Sequence, residues 1–326
     1  GDILSGRVPS MGLYGHEFRK ISVAKDQGSV IPPVRYAYRS FDRQWIIPDN
    51  RLLNRPNPTL WETHSADQVY LTALMAHSPS SGPAVSFSGH VPDLHHYKGS
   101  FGGRTFPLWG NAKSTASNIK PSFLEVVREE IGEGVSGTTV MAYLAALAAH
   151  PAYTARFKDD LEQPVGERFT NTSKERPASP PRMSKGQGPT IPKDGAIPTD
   201  PDQMPDDISY DEEKQRVHVG SGFIDNVPKD VWEYEVSGKQ VLVHWFSYRK
   251  KDRTRTTIGE RRPPSPLEDI YPDHWLAEYT SELLNVLHVL GRLVLLQDRQ
   301  ADLLRRICDG PLNAADDLRA AGAFDA

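Results

Sequence analysis

The chain has 326 residues, of which 38% are hydrophobic and 25% charged, and this balance is typical of a globular protein rather than a wholly disordered one. Its formal net charge of −4 argues against a uniformly basic nucleic-acid coat, although local patches can still be basic. A lone cysteine, Cys308, excludes an intramolecular disulfide. The longest apolar run, residues 283–296, falls short of the ~20 residues that a membrane helix needs, and no secretory signal opens the sequence. We therefore expect a cytoplasmic protein with no membrane partner.

The first hundred residues predict strands and turns. The segments VRYAYRSF (34–41) and RQWII (43–47) are rich in β-forming residues, and VYLTALMA (69–76) and AVSFSGHV (84–91) predict two further strands. In the stretch 36–45 we expect the rings of Tyr36, Tyr38, Phe41 and Trp45 to form a local core.

Two helices should follow. SFLEVVREEI predicts a helix with Ser122 as N-cap, Glu125 completing a capping box and Gly132 at its end. TTVMAYLAALAAH predicts a second helix that begins at a threonine cap and stops before Pro151. The segment GEGVSG (132–137) matches the dinucleotide fingerprint G-x-G-x-x-G. Because it follows a helix rather than a strand, we interpret its glycines as a connection between helices.

Residues 166–207 are rich in Pro, Ser and Gly and predict a long irregular connection between parts 1–165 and 208–326 of one module. The second part opens with a β pattern, RVHVGSGFI, followed by VWEYEVSGKQVLVHWFSYR, in which Ser237-Gly238 predicts a hairpin turn. A long amphipathic helix, roughly Leu276 to Cys308 and broken near Asp298, should close the chain. The predicted fold class is α+β: a mixed β-rich body with packed helices, a second β-hairpin region and a long C-terminal helix.

Candidate chemistry is sparse. His90, Asp93, His95 and His96 lie close together in sequence, but adjacent histidines on an extended chain point in opposite directions. We therefore favour a structural or substrate-contacting loop over a metal site. No G-x-S-x-G elbow is present and the carboxylates form no recognisable pair, so we predict no catalytic residues and no metal ligands. A hydrolase that uses the histidines is the weakest hypothesis, since no nucleophile accompanies them.

The most basic stretch is YRKKDRTRTTIGERR (248–262). We expect it to follow a strand and to form an exposed loop. Two interpretations stay open: a solvated loop, or a loop that contacts the phosphates of a nucleic acid.

Five segments in this order resemble one protein family. VRYAYRSFDRQWIIPDNRLLNRPNPTLW is similar to the Tyr-Arg-Pro/Ser-Phe-Asp-x-Arg signature in the C-terminal half of adenine-specific DNA methyltransferases. Four later segments resemble blocks of the single-chain type ISP restriction-modification enzymes and related methylases: PDLHHYKGSFGGRTFPLW, VMAYLAALAAHPAYTARFKDDL, VWEYEVSGKQVLVHWFSYR and SPLEDIYPDHWLAEYTSELLNVLHVLGRLVLL. The resemblance runs from about Val34 to Pro311.

The resemblance implies a C-terminal specificity, or target recognition, domain. Such a domain reads double-stranded DNA and positions an adenine for N6 methylation by an upstream methyltransferase domain of the same polypeptide. The catalytic tetrapeptide Asn-Pro-Pro-Tyr is absent, since Asn57-Pro58 is only a fragment of it. We therefore expect no cofactor in this segment, and S-adenosylmethionine, and in some relatives ATP and Mg²⁺, would serve the parent enzyme. The alternative is a protein-interaction module that couples a DNA-processing enzyme without reading bases.

The resemblance also implies DNA-contacting side chains. Arg39 and Arg43 would either form an ion pair with Asp42 or reach DNA. Arg104, beside Gly102-Gly103, is a candidate for a guanine edge. The candidates for phosphate contacts are those of the basic stretch: Arg249, Lys250, Lys251, Arg253 and Arg255.

Overall fold

The computed structural model describes most of the chain, in the main ranges 31–49, 57–74, 79–97, 102–159, 188–251 and 272–310. Shorter described stretches lie at 10–11, 18–19, 169–170, 312–313 and 319–320, with single residues at 29, 53, 161 and 322. Helices and antiparallel sheets occur together in these ranges, so the α+β prediction is confirmed.

The elements are as follows. The strands are β1 (Ser10–Met11), β2 (Phe18–Arg19), β3 (Val34–Arg39), β4 (Asp42–Ile46), β5 (Tyr70–Leu74), β6 (Val85–Ser88), β7 (Gly103–Pro107), β8 (Phe169–Thr170), β9 (Ile208–Asp211), β10 (Arg216–Val219), β11 (Gly222–Ile224), β12 (Glu235–Val236), β13 (Lys239–Gln240) and β14 (Leu312–Asn313). The α-helices are α1 (Pro58–Trp61), α2 (Pro121–Ile131), α3 (Gly137–Ala148), α4 (Pro151–Arg156), α5 (Lys229–Trp232), α6 (Val241–Ser247) and α7 (Ala277–Asp309). Short 3-10 helices form at Lys193–Gly195 and Pro201–Gln203.

The chain divides into two compact units, each built from separated segments. The first unit comprises residues 2–178, 236–238 and 298–326, and the second unit comprises residues 179–235 and 239–297. The change between them at residue 178 falls inside the irregular connection that the sequence predicts at 166–207. The described part of that connection, 188–207, consists of loops and the short 3-10 helices.

The first unit is organised around a three-stranded antiparallel sheet in the order β6-β5-β7. Leu71 and Ala73 of the central strand share one face with Val85 of β6, and this face buries its apolar side chains together with Met141 of α3. Tyr70 and Thr72 of β5 and Ser86 of β6 are buried on the opposite face, so both faces of this part of the sheet are covered.

The hairpin formed by β3 and β4 is joined to the rest of the first unit by hydrogen bonds with the segment 91–96. Ala37 donates its N–H to the oxygen of Val91 at 3.0 Å and accepts from the N–H of Asp93 at 2.9 Å, while Ser40 donates to the oxygen of His96 at 2.8 Å. Phe41 has a φ of 64° at the turn, a left-handed conformation that is uncommon for a residue with a side chain. Main-chain pairing on both sides of β3 therefore fixes where the hairpin side chains point.

The helix caps differ from the predicted ones. α2 begins at Pro121 with Lys120 in the N-cap position, so Ser122 is not the cap, because proline is favoured at the first helical position. α3 is capped by Ser136, whose hydroxyl accepts from the N–H of Thr139 while the Thr139 hydroxyl accepts from the N–H of Ser136. Gly132 ends α2 with a φ of 121°, so GEGVSG connects two helices, as the sequence predicts.

The second unit contains a sheet in the order β11-β10-β9. Val217, Val219 and Ile224 are fully buried on one face, and the alternate positions Arg216 and His218 lie on the other. This is the period-2 alternation expected for a sheet with one covered face.

The predicted second hairpin is only partly correct. Ser237 and Gly238 form its turn with φ values of 51° and 74°, but the flanking strands β12 and β13 have two residues each. The predicted second arm is the helix α6 instead, with Leu242 and Trp245 on its buried side. The Trp245 ring lies 6.3 Å from that of Trp275, so tertiary packing overrides the β propensity of VLVHWF.

The C-terminal helix α7 is continuous through Asp298, where the sequence predicts a break. Leu283, Leu287 and Leu290 of the predicted apolar stripe are fully buried in the second unit, and Val294 is half-buried. Within the ranges that the structure describes, no helix has the length and apolarity needed to cross a lipid bilayer.

Candidate nucleic-acid interface

Arg39 of the β3–β4 hairpin lies inside the protein rather than projecting from it. Its side chain is buried, and its Nη1 lies 2.8 Å from Oδ1 of Asp93 and donates to the main-chain oxygen of Tyr38 at 2.6 Å. The same carboxylate accepts from the N–H of His95 at 2.9 Å, which holds the loop after β6 against the hairpin. Of the two alternatives for Arg39, the structure therefore favours an internal ion pair, with Asp93 as a partner, and the side chain holds the hairpin together.

Asp42, which lies between Arg39 and Arg43 in sequence, is also buried. Its carboxylate accepts from Nε2 of Gln44 at 3.1 Å. Burial, with the charge of Asp93 as the next cause, raises the pKa of nearby Tyr36 above its usual range. The turn of the hairpin is thus a polar, largely desolvated structure whose charges are used internally.

Trp45 is exposed, although the sequence predicts it in a local core. Its exposed fraction is 56%, and Cζ of Arg35 on the opposite strand lies 4.3 Å from the centroid of its ring. Arg35 lies directly opposite Trp45, and Ala37 lies opposite Arg43, so these residues share one face of the ladder. Arg43 is exposed.

A positive electrostatic environment extends from this face to His90. Burial lowers the pKa of His90, and the charges of Arg43, His64 and Arg35 lower it further. Nearby positive charges lower the pKa of a histidine because they disfavour its protonated imidazole. His64, whose pKa is lowered by its own burial, stacks on Tyr70 with ring centroids 6.4 Å apart.

The histidine cluster does not converge on a common point. His96 is buried, with Nδ1 3.2 Å from the oxygen of Ala37 and Nε2 3.3 Å from Oγ of Ser86, so both ring nitrogens have protein partners. Burial lowers the pKa of His96 to about 4. Among the residues that the structure describes, no group of three or more His, Cys, Asp or Glu side chains is arranged to hold a metal ion.

Arg104 is exposed on the edge strand β7, but on a different face from the hairpin. It pairs with Ala73, whose side chain belongs to the face that packs on α3. The hairpin segment instead contacts the face that carries Ser86, through His96. The structure therefore does not bring Arg104 together with Arg39 and Arg43. Phe106, two positions along β7, is 41% exposed beside it.

Arg249 is buried in the second unit, contrary to the prediction of an exposed loop. Its Nη2 lies 3.3 Å from Oε2 of Glu282, and its Nη1 donates to the oxygen of Trp245 at 2.9 Å. The guanidinium also lies over the Trp245 ring, 3.8 Å from the centroid, with Tyr279 at 5.4 Å. This position follows from α6: a helix, not a strand, precedes the basic stretch, and it carries Arg249 inward one turn after Trp245.

Of the other four candidates for phosphate contacts, the structure describes two. Lys250 is half-buried and Lys251 is exposed, with its N–H donating to the oxygen of Pro205 at 2.9 Å. Arg253 and Arg255 lie outside the described residues, so their predicted phosphate contacts stay predictions.

The segment 200–235 of the second unit is acidic, in contrast to the basic stretch. It contains eleven Asp and Glu residues against three Lys and Arg residues, and most of these acids are exposed or half-buried. Arg216 is paired with Asp225 at 2.5 Å, and Lys229 with Glu212 at 2.9 Å. A surface of this charge repels phosphate groups, so this segment is unsuited to contact with a nucleic acid.

The arrangement of Arg35, Trp45 and His90 was not predicted from the sequence. The available signal was the hairpin register: with a turn near residues 40–41, position 35 falls opposite 45, and 37 opposite 43. An arginine opposite a tryptophan on a strand pair indicates a cation–π contact rather than a core position.

The exposed residues Arg43 and Trp45 thus lie in the first unit, and the acidic segment 200–235 lies in the second unit. The family model of the Type ISP C-terminal specificity domain matches residues 18–166 and 171–286, which is most of the chain. The protein therefore belongs to the Type ISP C-terminal specificity domain family, as the resemblance implies. No sequence among curated proteins matches it.

Two solved structures, LlaBIII and DrdV, share the fold at low sequence identity. The ATP-dependent Type ISP restriction-modification enzyme LlaBIII bound to DNA has a TM-score of 0.54 and 13% identity, over 89% of this chain and 19% of that chain. The DrdV–DNA complex has a TM-score of 0.52 and 13% identity, over 90% of this chain and 29% of that chain. A nuclease-deletion mutant of the Type ISP enzyme LlaGI with a DNA substrate mimic has a TM-score of 0.49 and 16% identity, over 84% and 21%. This chain thus spans less than a third of each of these proteins.

Proposed function

We propose that this chain is the target-recognition module of a restriction-modification enzyme: it reads a short sequence in duplex DNA and positions an adenine for a methyltransferase domain of the same polypeptide. The observation that carries the proposal is the specificity-domain match across residues 18–166 and 171–286. The fold is shared with LlaBIII and DrdV, both of which are described in complexes with DNA.

In this proposal, some side chains contact the DNA backbone and others contact the base edges. Most protein–DNA hydrogen bonds go to phosphate and sugar and fix the register, while a few contacts to base edges carry the sequence information. Exposed Arg43 and Lys251 are suited to phosphates. Exposed Arg104 has the fork of donors that matches the O6 and N7 atoms of guanine.

The methyl-transfer chemistry belongs, in this proposal, to another part of the enzyme. S-adenosylmethionine, and in a motor-bearing parent ATP and Mg²⁺, would be bound there. We expect the sequence encoded before Gly1 to contain a methyltransferase glycine loop and an Asn-Pro-Pro-aromatic tetrapeptide. A preceding sequence without either would contradict the adenine-positioning role while leaving DNA recognition intact.

The acidic segment 200–235 favours an alternative function without base reading, namely contact with another protein or domain. Its exposed carboxylates disfavour DNA but suit a basic protein surface. A coupling role of this kind needs no base contact, so DNA binding by the chain separates it from target recognition.

Fluorescence anisotropy with a labelled duplex and the 326-residue chain tests the proposal. We expect weak binding, with a non-specific Kd on the order of 10⁻⁴ to 10⁻⁶ M at physiological salt, and a logarithmic affinity that falls linearly with the logarithm of salt concentration. Incubation with S-adenosylmethionine should transfer no methyl group. An absence of DNA binding at low salt would leave only the coupling role, and methyl transfer by this chain alone would refute the assignment of roles.

A further inference from the structure

Among the residues that the structure describes, the β3–β4 hairpin carries an exposed aromatic side chain and an exposed arginine on one face. We define the hairpin face as Arg35, Arg43 and Trp45, with His90 beside it. Trp45 is 56% exposed, the largest exposed fraction among the large apolar side chains that the structure describes, and Arg43 is exposed next to it. Arg39 and Asp42 of the same hairpin are buried and hydrogen-bonded to other side chains of the protein. Arg43 and Trp45, by contrast, are exposed to solvent.

The hairpin face is arranged before any partner binds. The guanidinium of Arg35 lies over the indole of Trp45 at 4.3 Å, and its Nη1 lies 3.5 Å from the main-chain oxygen of Arg43. A stacked arginine limits the rotamers of the tryptophan, which lowers the entropy lost when the ring contacts a ligand. The strands beneath are held by main-chain bonds from Ala37 to Val91 and Asp93. The ring and the cations therefore stand on a rigid base.

The charge of the hairpin face selects the class of partner. Its two arginines lie on one side of a strand pair, and the cations act on His90, whose pKa they lower together with burial. A flat ring flanked by arginines is complementary to a polyanion that also offers apolar surface, and DNA has both in its phosphates and its sugars and bases. The acidic segment 200–235 has the opposite complementarity.

We infer that the hairpin face is a DNA-contacting surface, on which Arg35 and Arg43 bind phosphate oxygens and the indole of Trp45 packs on a sugar or base of the same strand. The inference rests on the proposed function and deepens it, because it assigns DNA contact to residues on the hairpin rather than to the basic stretch.

The test compares Trp45→Ala, Trp45→Phe and Arg43→Ala in the full 326-residue chain, with a labelled duplex and fluorescence anisotropy at several salt concentrations. Loss of one stacked ring should weaken binding about tenfold, and Trp45→Phe should retain most of the affinity. Arg43→Ala should flatten the salt slope by about one unit, the amount expected for one phosphate contact. The matched controls are Arg292→Ala and Leu295→Ala, exposed positions on α7 that should leave affinity and slope unchanged.

The outcomes separate this inference from the proposed function. If the unmodified chain does not bind DNA, the proposed function fails and the inference fails with it. If the unmodified chain binds but Trp45→Ala and Arg43→Ala behave like the α7 controls, the DNA-facing surface lies elsewhere and only the inference is overturned. Thermal unfolding of each variant excludes loss of fold as the cause, and the Phe variant, which keeps the ring, supports the inference only if it binds more tightly than the Ala variant.

Discussion

Replacement of Arg249 by methionine should destabilise the second unit without changing how the folded chain binds DNA. The change removes the ion pair with Glu282 at 3.3 Å, the hydrogen bond to the oxygen of Trp245 at 2.9 Å and the contact with the Trp245 ring. Methionine keeps much of the apolar volume, so the dominant loss is the charge of the guanidinium beside the buried Glu282 carboxylate.

The magnitude follows from the burial of the pair. The two side chains are 2% and 9% exposed, so little solvent is available to compensate the carboxylate. Removal of one partner from a buried ion pair costs roughly 3 to 5 kcal/mol, whereas replacement of both by apolar groups of similar volume is often neutral or stabilising. We therefore expect Arg249→Met to lower the free energy of unfolding by about 3 kcal/mol, and the double variant Arg249→Met/Glu282→Leu to recover most of that loss.

Urea unfolding followed by tryptophan fluorescence measures this effect, since Trp245 and Trp275 lie in the same aromatic cluster. Lys251→Ala is the matched control, because an exposed cation of the same stretch should change stability by within about 0.5 kcal/mol. DNA affinity is measured without urea, under conditions in which each variant is folded. If Arg249→Met unfolds like the unmodified chain but loses DNA affinity and salt slope, Arg249 contacts phosphate and the structural reasoning is wrong.

Three other predictions follow from single positions. His96 has a folded pKa of about 4 against 6.5 when unfolded, so the unfolded state takes up the extra proton and stability falls as pH drops between these values. We expect the free energy of unfolding, measured with urea, to fall by about 2 kcal/mol between pH 7 and pH 5. The same quantity should depend less steeply on pH in His96→Gln, and an equal pH dependence in the two proteins would contradict this. Gly222→Ala should destabilise the second unit by roughly 1 to 3 kcal/mol, because a Cβ there would lie 2.6 Å from Cα of Ile197, whereas unchanged thermal unfolding would disprove that contact. Arg104→Ala should cost about 1 to 3 kcal/mol at one base position in a binding assay across single-base variants of a target duplex, and a uniform loss would indicate a phosphate contact instead.

The sequence predicted the fold class and several elements because their signals are local. The β3–β4 hairpin, the strands β5 and β6, and the connection at Gly132 follow from alternation, turn residues and a helix stop within short windows. The helix α6 was missed because its residues have high β propensity. However, Val241, Leu242, Trp245 and Phe246 recur at helical spacing, and that period was available as a signal.

The environments of the arginines could not be predicted, because they depend on distant partners. Arg39 pairs with Asp93, 54 positions away, and Arg249 pairs with Glu282, 33 positions away. A single sequence gives no indication of which acid meets which base across such separations. Clustered positive charge therefore identified a candidate stretch but not which of its side chains is exposed.

Selection from a pool of duplexes with a randomised centre tests the central claim, target recognition in DNA, most directly. The 326-residue chain is immobilised at low salt, and bound duplexes are recovered, amplified and sequenced over successive rounds. Target recognition predicts enrichment of one short sequence, and addition of that duplex in solution should displace the bound pool more effectively than a scrambled one. Recovered duplexes that stay random at every position, despite salt-dependent retention, would contradict sequence recognition and leave a module that only binds phosphate.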